Sequence, residues 1–384
     1  MAMDDVLAAG VERGDVAGVT GILVDRDGVR WQGGFGERSV GSGVEMTADT
    51  VGAIFSMTKA ITGAAALHCV ERGLLDLDAP AGEVLDDLGD SQVLTGFDGD
   101  GQPETRPATS QVTLRNLLTH TSGYVYDIWN ADMARWYEAT GAPSLFDLKK
   151  DALRTPLAFD PGTRWEYGIG IDWAGLLVEE VSGQTLGEYF AEHLTGPMGM
   201  ADTGFAPTDS MMERFAAMHA RLPDGSLMPM ELPPAEAPEF EMGGGGLAST
   251  MADYGQFMRM VLNDGMLDGT QIMSADSVAK MVANSMGDLR VTELKTTAPP
   301  FSADAEMFPG EEKSWGLTFQ IHEQDGHTGR PKGTLSWAGL ANSYFWIDRT
   351  NGIAGAYMSQ ILPFADPQSY GLYEQFETAA YATL

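Results

Sequence analysis

Ser56-Met57-Thr58-Lys59 sets a hydroxyl and an amine three residues apart. On a helix such residues share a face, so Lys59 can stand beside the Ser56 oxygen with no help from a distant loop. A serine hydroxyl is a poor nucleophile at neutral pH until a base takes its proton. The surrounding residues favour that chemistry over a capping serine with a solvated lysine. Gly52-Ala53-Ile54-Phe55 precedes the pair and Ala60-Ile61-Thr62-Gly63-Ala64-Ala65-Ala66-Leu67 follows it, which predicts a buried helix starting near Phe55. Burial disfavours a charged lysine and lowers its pKa, which makes it a usable proton acceptor. A nucleophile in the first helical turn also feels the positive end of the dipole, which suits the anion formed in acyl transfer. The same spacing recurs at Ser277-Val278-Ala279-Lys280, but after Met273-Ser274-Ala275-Asp276 it reads as the polar start of an exposed helix.

Two further segments could complete such a site. Tyr167 lies in Trp165-Glu166-Tyr167-Gly168-Ile169-Gly170. A nearby cation favours a phenolate, so a tyrosine beside Lys59 could act as base for Ser56 and as acid for a leaving group. The plainer reading is a packed tyrosine bonded to backbone. Gly333-Thr334-Leu335-Ser336-Trp337-Ala338-Gly339-Leu340 reads as a strand whose small residues at 338 and 339 admit a substrate to its edge. A main-chain N–H there could pair with that of Ser56 as an oxyanion hole, worth ~3 kcal/mol per donor. Alternatively the glycine marks a bulge.

The elements that must position these groups follow from periodicity and turn signals. A helix is predicted over 4–13, then strands at 19–25 and 29–36 joined by Asp27-Gly28, then the Ser56 helix. From 79 to about 235 the pattern gives helices and long loops with little strand alternation. The clearest helices there are 114–118 and 173–181, the latter stopping at Ser182-Gly183. Gly243 to Gly246 is a flexible or close-approach segment, and helices are expected at 251–264 and 274–283. Strands return at 315–321, 343–348 and 353–358, the last two joined through Asn351-Gly352, before a helix over 367–382. The expected fold is α/β (α+β), with one domain built from 1–78 plus 236–384 and a mostly helical insertion over 79–235. A cleft between such parts suits a small-molecule site.

Composition narrows the function. The 384 residues carry a net charge of −32, from 55 acidic and 23 basic side chains. That sign repels nucleic acid and anionic membrane surfaces, so neither is an expected partner. No apolar run approaches the ~20 residues of a membrane span. The acidic start Met1-Ala2-Met3-Asp4-Asp5 lacks an export signal, which points to a cytoplasmic location. Cys69 is the single cysteine, so no intrachain disulfide is possible. No G-x-S-x-G, H-E-x-x-H or C-x-x-C is present. Asp98-Gly99-Asp100-Gly101 has incomplete calcium-loop spacing and reads as a surface turn. No metal or cofactor is implied. His120 reads as a structural histidine.

In order and spacing, the three segments resemble the serine β-lactamase and penicillin-binding protein superfamily, in its class C-like branch, and within that the family VIII carboxylesterases. Ser56-Met57-Thr58-Lys59 matches S-x-x-K, Tyr167-Gly168-Ile169 stands at Y-x-N, and Trp337-Ala338-Gly339 stands where these esterases carry W-x-G. Leu117 to Gly123 and Gly243 to Thr250 are also similar to the family. The resemblance implies a β-lactamase-like antiparallel sheet flanked by helices. It also implies Ser56 as nucleophile, Lys59 and Tyr167 managing the proton in an order left open, and the amides of Ser56 and Leu340 as oxyanion donors beside Gly339. Ile169 and Trp337 replace the asparagine and lysine that serve β-lactam substrates, which favours uncharged esters. Trp337, Tyr124 and Tyr126 are expected to line an apolar acyl pocket. The implied function is a serine carboxylesterase acting on small short-chain esters. The rivals are a β-lactamase or D-amino-acid peptidase, and a catalytically silent scaffold.

Overall fold

The computed structural model describes residues 2–231 and 235–384. The expected insertion boundary near 235 adjoins residues 232–234, which lie outside the described residues. At the centre is a seven-stranded antiparallel sheet. In chain order its strands are β1 (Gly18–Asp25), β2 (Val29–Gly36), β3 (Lys313–Trp315), β4 (Gln320–His322), β5 (Leu335–Gly339), β6 (Ser343–Asp348) and β7 (Ile353–Met358). They lie in the order β3-β4-β5-β6-β7-β1-β2. Early and late strands meet where β1 pairs with β7, from Thr20 opposite Met358 to Asp25 opposite Ile353.

Helices cover both faces, which is why β6 and β7 are buried along their whole length. On one side helices α1 (Met3–Glu12) and α5 (Pro367–Tyr381) pack together, with Phe376 of α5 against Trp31 and Trp346. On the other side lies α4 (Met251–Leu262), whose Tyr254 hydroxyl donates to the Met57 carbonyl at 3.1 Å. Helix α2 (Thr58–Glu71) is buried on nearly every side and packs against α3 (Gly170–Ser182). Gly183 closes α3 in a left-handed conformation. Among the described residues no helix is long and apolar enough to cross a membrane.

Two sequence expectations are corrected. The single strand expected over 315–321 is a hairpin, β3 and β4, with a turn at 316–319 closed by Gly316 N donating to Phe319 O at 2.8 Å. The apolar run continues through the turn because Leu317 and Phe319 both enter the core, so hydropathy alone does not show the reversal. The segment 79–235 also holds two hairpins, Gln92–Phe97 with Pro103–Pro107 and Met218–Arg221 with Leu227–Met230. The first is largely solvated on both faces and so lacks alternation. Its turn contains Asp98, whose carboxylate accepts from the amides of Asp100 and Gln102.

Helix α5 is also fixed to the sheet by charge. Arg330, just before β5, donates through Nε to Glu377 of α5 at 2.6 Å, and both residues are fully buried. Removing one partner of such a pair strands the other charge away from water. Glu377→Ala is therefore expected to cost about 3–5 kcal/mol of stability, measured as a lower urea midpoint.

Candidate active site

The chain reverses sharply just before the candidate nucleophile. Gly52–Ala53 pairs with Ala248–Ser249, Ile54 N donates to Leu247 O, and Phe55 takes a φ of 43°. A left-handed conformation is strained for a phenylalanine and persists only where the surroundings enforce it. It swings Phe55–Met57 into a short 3-10 turn that runs directly into α2, leaving Ser56 at the mouth and Lys59 one turn deeper. From the other side β5 presses on this turn. A Cβ at Gly339 would stand 2.3 Å from the Ile54 carbonyl, so only glycine lets the strand approach this closely.

Lys59 is 1% exposed, and its Nζ donates to Ser56 Oγ at 3.2 Å, Tyr126 Oη at 2.8 Å and the Gly244 carbonyl at 2.6 Å. All three N–H bonds of an ammonium are thus engaged. Burial lowers its pKa to about 7, while the charge of Asp172 works in the opposite direction. Asp172, in the first turn of α3, is also buried. Its Oδ1 accepts from Gly244 N at 2.8 Å, and Oδ2 has no partner among the described residues. Burial raises this carboxyl to about 6 and the Lys59 charge lowers it. Gly243 to Gly246 is accordingly a close-approach segment, since a Cβ at Gly244 would lie 2.5 Å from Asp172 Oδ2.

Tyr167 lies beside both Ser56 and Lys59. Its oxygen accepts from Trp337 Nε1 at 3.0 Å. Burial pushes the phenol above its ordinary range, while contacts with Ser56 and Trp337 favour the phenolate. Lys59 Nζ lies 4.8 Å from the centre of the Tyr167 ring, and its hydroxyl partner is Tyr126. His120 packs on the Tyr167 ring at 4.6 Å, accepts from Gly168 N, and is held neutral by burial and the Lys59 charge.

Two recesses meet at Ser56. The smaller, with about 10 Å³ of accessible space, is bounded by Tyr167, Trp337, Gly339 and Leu340. The larger, with about 120 Å³ of accessible space, is bounded by Tyr126, Trp129, Phe146, Phe301 and Leu340. Two expected pocket residues lie elsewhere. The Tyr124 ring packs on Trp173 and its hydroxyl meets Ser91 at 3.4 Å, which turns it away from Ser56. Ile169 sits in the hydrophobic core at the start of α3 and lines neither recess. The second S-x-x-K is a surface feature, with Ser277 donating to Glu71 and Lys280 paired with Asp276. Asp172 escaped sequence reading because an acid in a first helical turn looks like a dipole partner. Nothing in the sequence marked the Tyr126 hydroxyl as a lysine partner.

The Beta-lactamase family profile matches residues 3–380. The chain belongs to the beta-lactamase family. It is 32% identical over 344 residues to the monacolin J acid methylbutanoyltransferase of Aspergillus terreus, covering 87% of this chain and 82% of that protein. It is 32% identical over 384 residues to the lovastatin esterase of Penicillium rubens, covering 94% and 93%. The solved simvastatin synthase (LovD) of Aspergillus terreus superposes with a TM-score of 0.87 at 28% identity, covering 99% of this chain and 97% of that one. Like this beta-lactamase family, the chain is a serine hydrolase with mixed helices and an antiparallel sheet.

In a beta-lactamase family site with this geometry, a neutral Lys59 can take the Ser56 proton. Modification of Ser56 by a fluorophosphonate should therefore accelerate as pH rises through about 7. Asp172 raises the Lys59 pKa, so Asp172→Asn should move that midpoint to lower pH. A pH profile of the labelling rate checks both.

Proposed function

We propose that the chain is a serine carboxylesterase that hydrolyses small short-chain esters through an acyl-enzyme on Ser56. The observation that carries this reading is a desolvated amine at 3.2 Å from a hydroxyl at the junction of two apolar recesses, with no cation at position 337. Ser56 Oγ attacks the ester carbonyl. Its proton passes first to Lys59, which burial makes easier to hold neutral, while burial holds the Tyr167 phenol protonated. Tyr167 then stands ready to protonate the leaving alcohol oxygen. The amides of Ser56 and Leu340 hold the oxyanion, each donor being worth ~3 kcal/mol. Water reverses the sequence and frees the acid.

The smaller recess limits the acyl group to a short chain, and the larger one receives the alcohol. Trp337 stands where a cation would hold a β-lactam carboxylate, so esters are favoured over penicillins and cephalosporins. A second reading, acyl transfer to an alcohol, is favoured by the relative named as a methylbutanoyltransferase. In that case an alcohol in the larger recess displaces water at the acyl-enzyme.

Two measurements test the assignment. Ser56→Ala should lower turnover of p-nitrophenyl butyrate by about 10³-fold or more, as expected for loss of a nucleophile. The intact enzyme should hydrolyse that ester in preference to a chromogenic cephalosporin. A preference for the cephalosporin would return the site to β-lactam chemistry.

A further inference from the structure

The larger recess holds groups beyond the Tyr126 hydroxyl that engages Lys59. Tyr126, Trp129, Phe146 and Phe301 present rings to it, and Asp127 is the one charged residue among its described lining. Asp127 is half-buried, and burial raises its carboxyl above the ordinary carboxylate range. Its carboxyl accepts from the amides of Asp127 and Ile128, and its charge reaches the phenols of Tyr126 and Tyr137, whose hydroxyls are engaged by Lys59 and by the Ala152 carbonyl. No cation among the described residues pairs with it. A partly desolvated anion without a counter-ion is costly, and a bound cation relieves that cost.

The rings are equally unclaimed. The arginine–ring contacts of the chain lie elsewhere, on Phe97, Phe159 and Phe308. Of the recess rings only Tyr126 has a cation over it, Lys59 at 5.1 Å. Trp129, Phe146 and Phe301 have none among the described residues.

The recess is also held in shape in advance. Thr297 Oγ1 donates to the Asp127 carbonyl at 2.6 Å, Thr297 N to the Ile128 carbonyl at 2.9 Å, and Trp129 Nε1 to Ser302 Oγ at 3.0 Å. At the mouth Phe146 and Phe301 stack at 6.3 Å although they are 45% and 36% exposed. Aromatic walls and a carboxylate lining one recess favour an alkylammonium, which is attracted to ring faces and to the anion together. The net charge of −32 adds a long-range attraction for cations.

We propose that the larger recess binds the alcohol portion of esters that carry a quaternary ammonium group, with Asp127 as counter-ion and Trp129, Phe146 and Phe301 as walls. This rests on the Ser56 esterase reading and adds the charge of its substrate. The same carboxylate repels esters that carry a carboxylate.

The test compares butyrylcholine with 3,3-dimethylbutyl butyrate, a neutral ester of nearly the same shape. At about physiological ionic strength, where long-range attraction is screened beyond ~8 Å, kcat/KM should favour the cationic ester by about tenfold. That ratio should fall towards about one in Asp127→Asn and survive in Asp127→Glu, which keeps the charge. Equal kcat/KM for the two esters, or a preference that persists in Asp127→Asn, overturns the proposal. Calorimetric titration of the Ser56→Ala protein with each ester reads the recess without chemistry. Equal binding of the two also overturns it. If the intact protein hydrolyses neither ester while Ser56→Ala binds the cationic one selectively, the recess assignment stands and the esterase reading falls.

Discussion

Burying the Lys59 amine is the constraint around which the site is organised. Taking an ammonium out of water costs several kcal/mol even after relaxation, and the cost is met only if its donors find partners. Here those partners come from three stretches far apart in the chain, Ser56, Tyr126 and Gly244. Each must arrive at a fixed distance, and each is anchored for that purpose. The Ser56 turn is tied to Leu247, and Gly244 is held by Asp172 at the head of α3. A side chain at 244 would break this arrangement, since its first carbon would collide with the Asp172 carboxylate.

The same burial divides the work between the two candidate proton carriers. Desolvation disfavours whichever form is charged, so it lowers an amine and raises a phenol. Lys59 and Tyr167 flank one hydroxyl in one low-dielectric pocket, and the pocket drives their pKa values apart. The indole N–H of Trp337 gives the phenol oxygen a donor and also removes the cation expected at that strand position in β-lactamases. One residue thus supports the reaction and narrows what can undergo it.

Much of this is legible in the sequence. The Ser56–Lys59 spacing with its apolar flanks, the helix ending at Gly183 and the late Asn-Gly hairpin all follow from local rules, and these elements are present. The chain-wide order of the three segments pointed to the family, which the profile match over residues 3–380 shows. What stayed hidden depends on contacts between distant residues. Asp172 looked like a helix-start acid until Gly244 came to lie against it. Tyr124 and Tyr126 were indistinguishable by type and spacing, yet one turns to Trp173 and the other to Lys59. The reversal at 316–319 was hidden because both of its apolar side chains point inward.

The junction of β1 with β7 has a consequence for how the protein is made. Strand β1 is made well before its partner on one edge, which lies about 330 residues later and at about 5–20 residues per second follows after on the order of half a minute of synthesis. During that interval β1 has an unpaired edge and carries Val19, Ile22, Leu23 and Val24, apolar side chains that are buried in the finished sheet. Such an edge is a template for pairing with another nascent chain. Covering this edge until Ile353 to Met358 emerges therefore removes a route to mispairing that the finished sheet no longer offers.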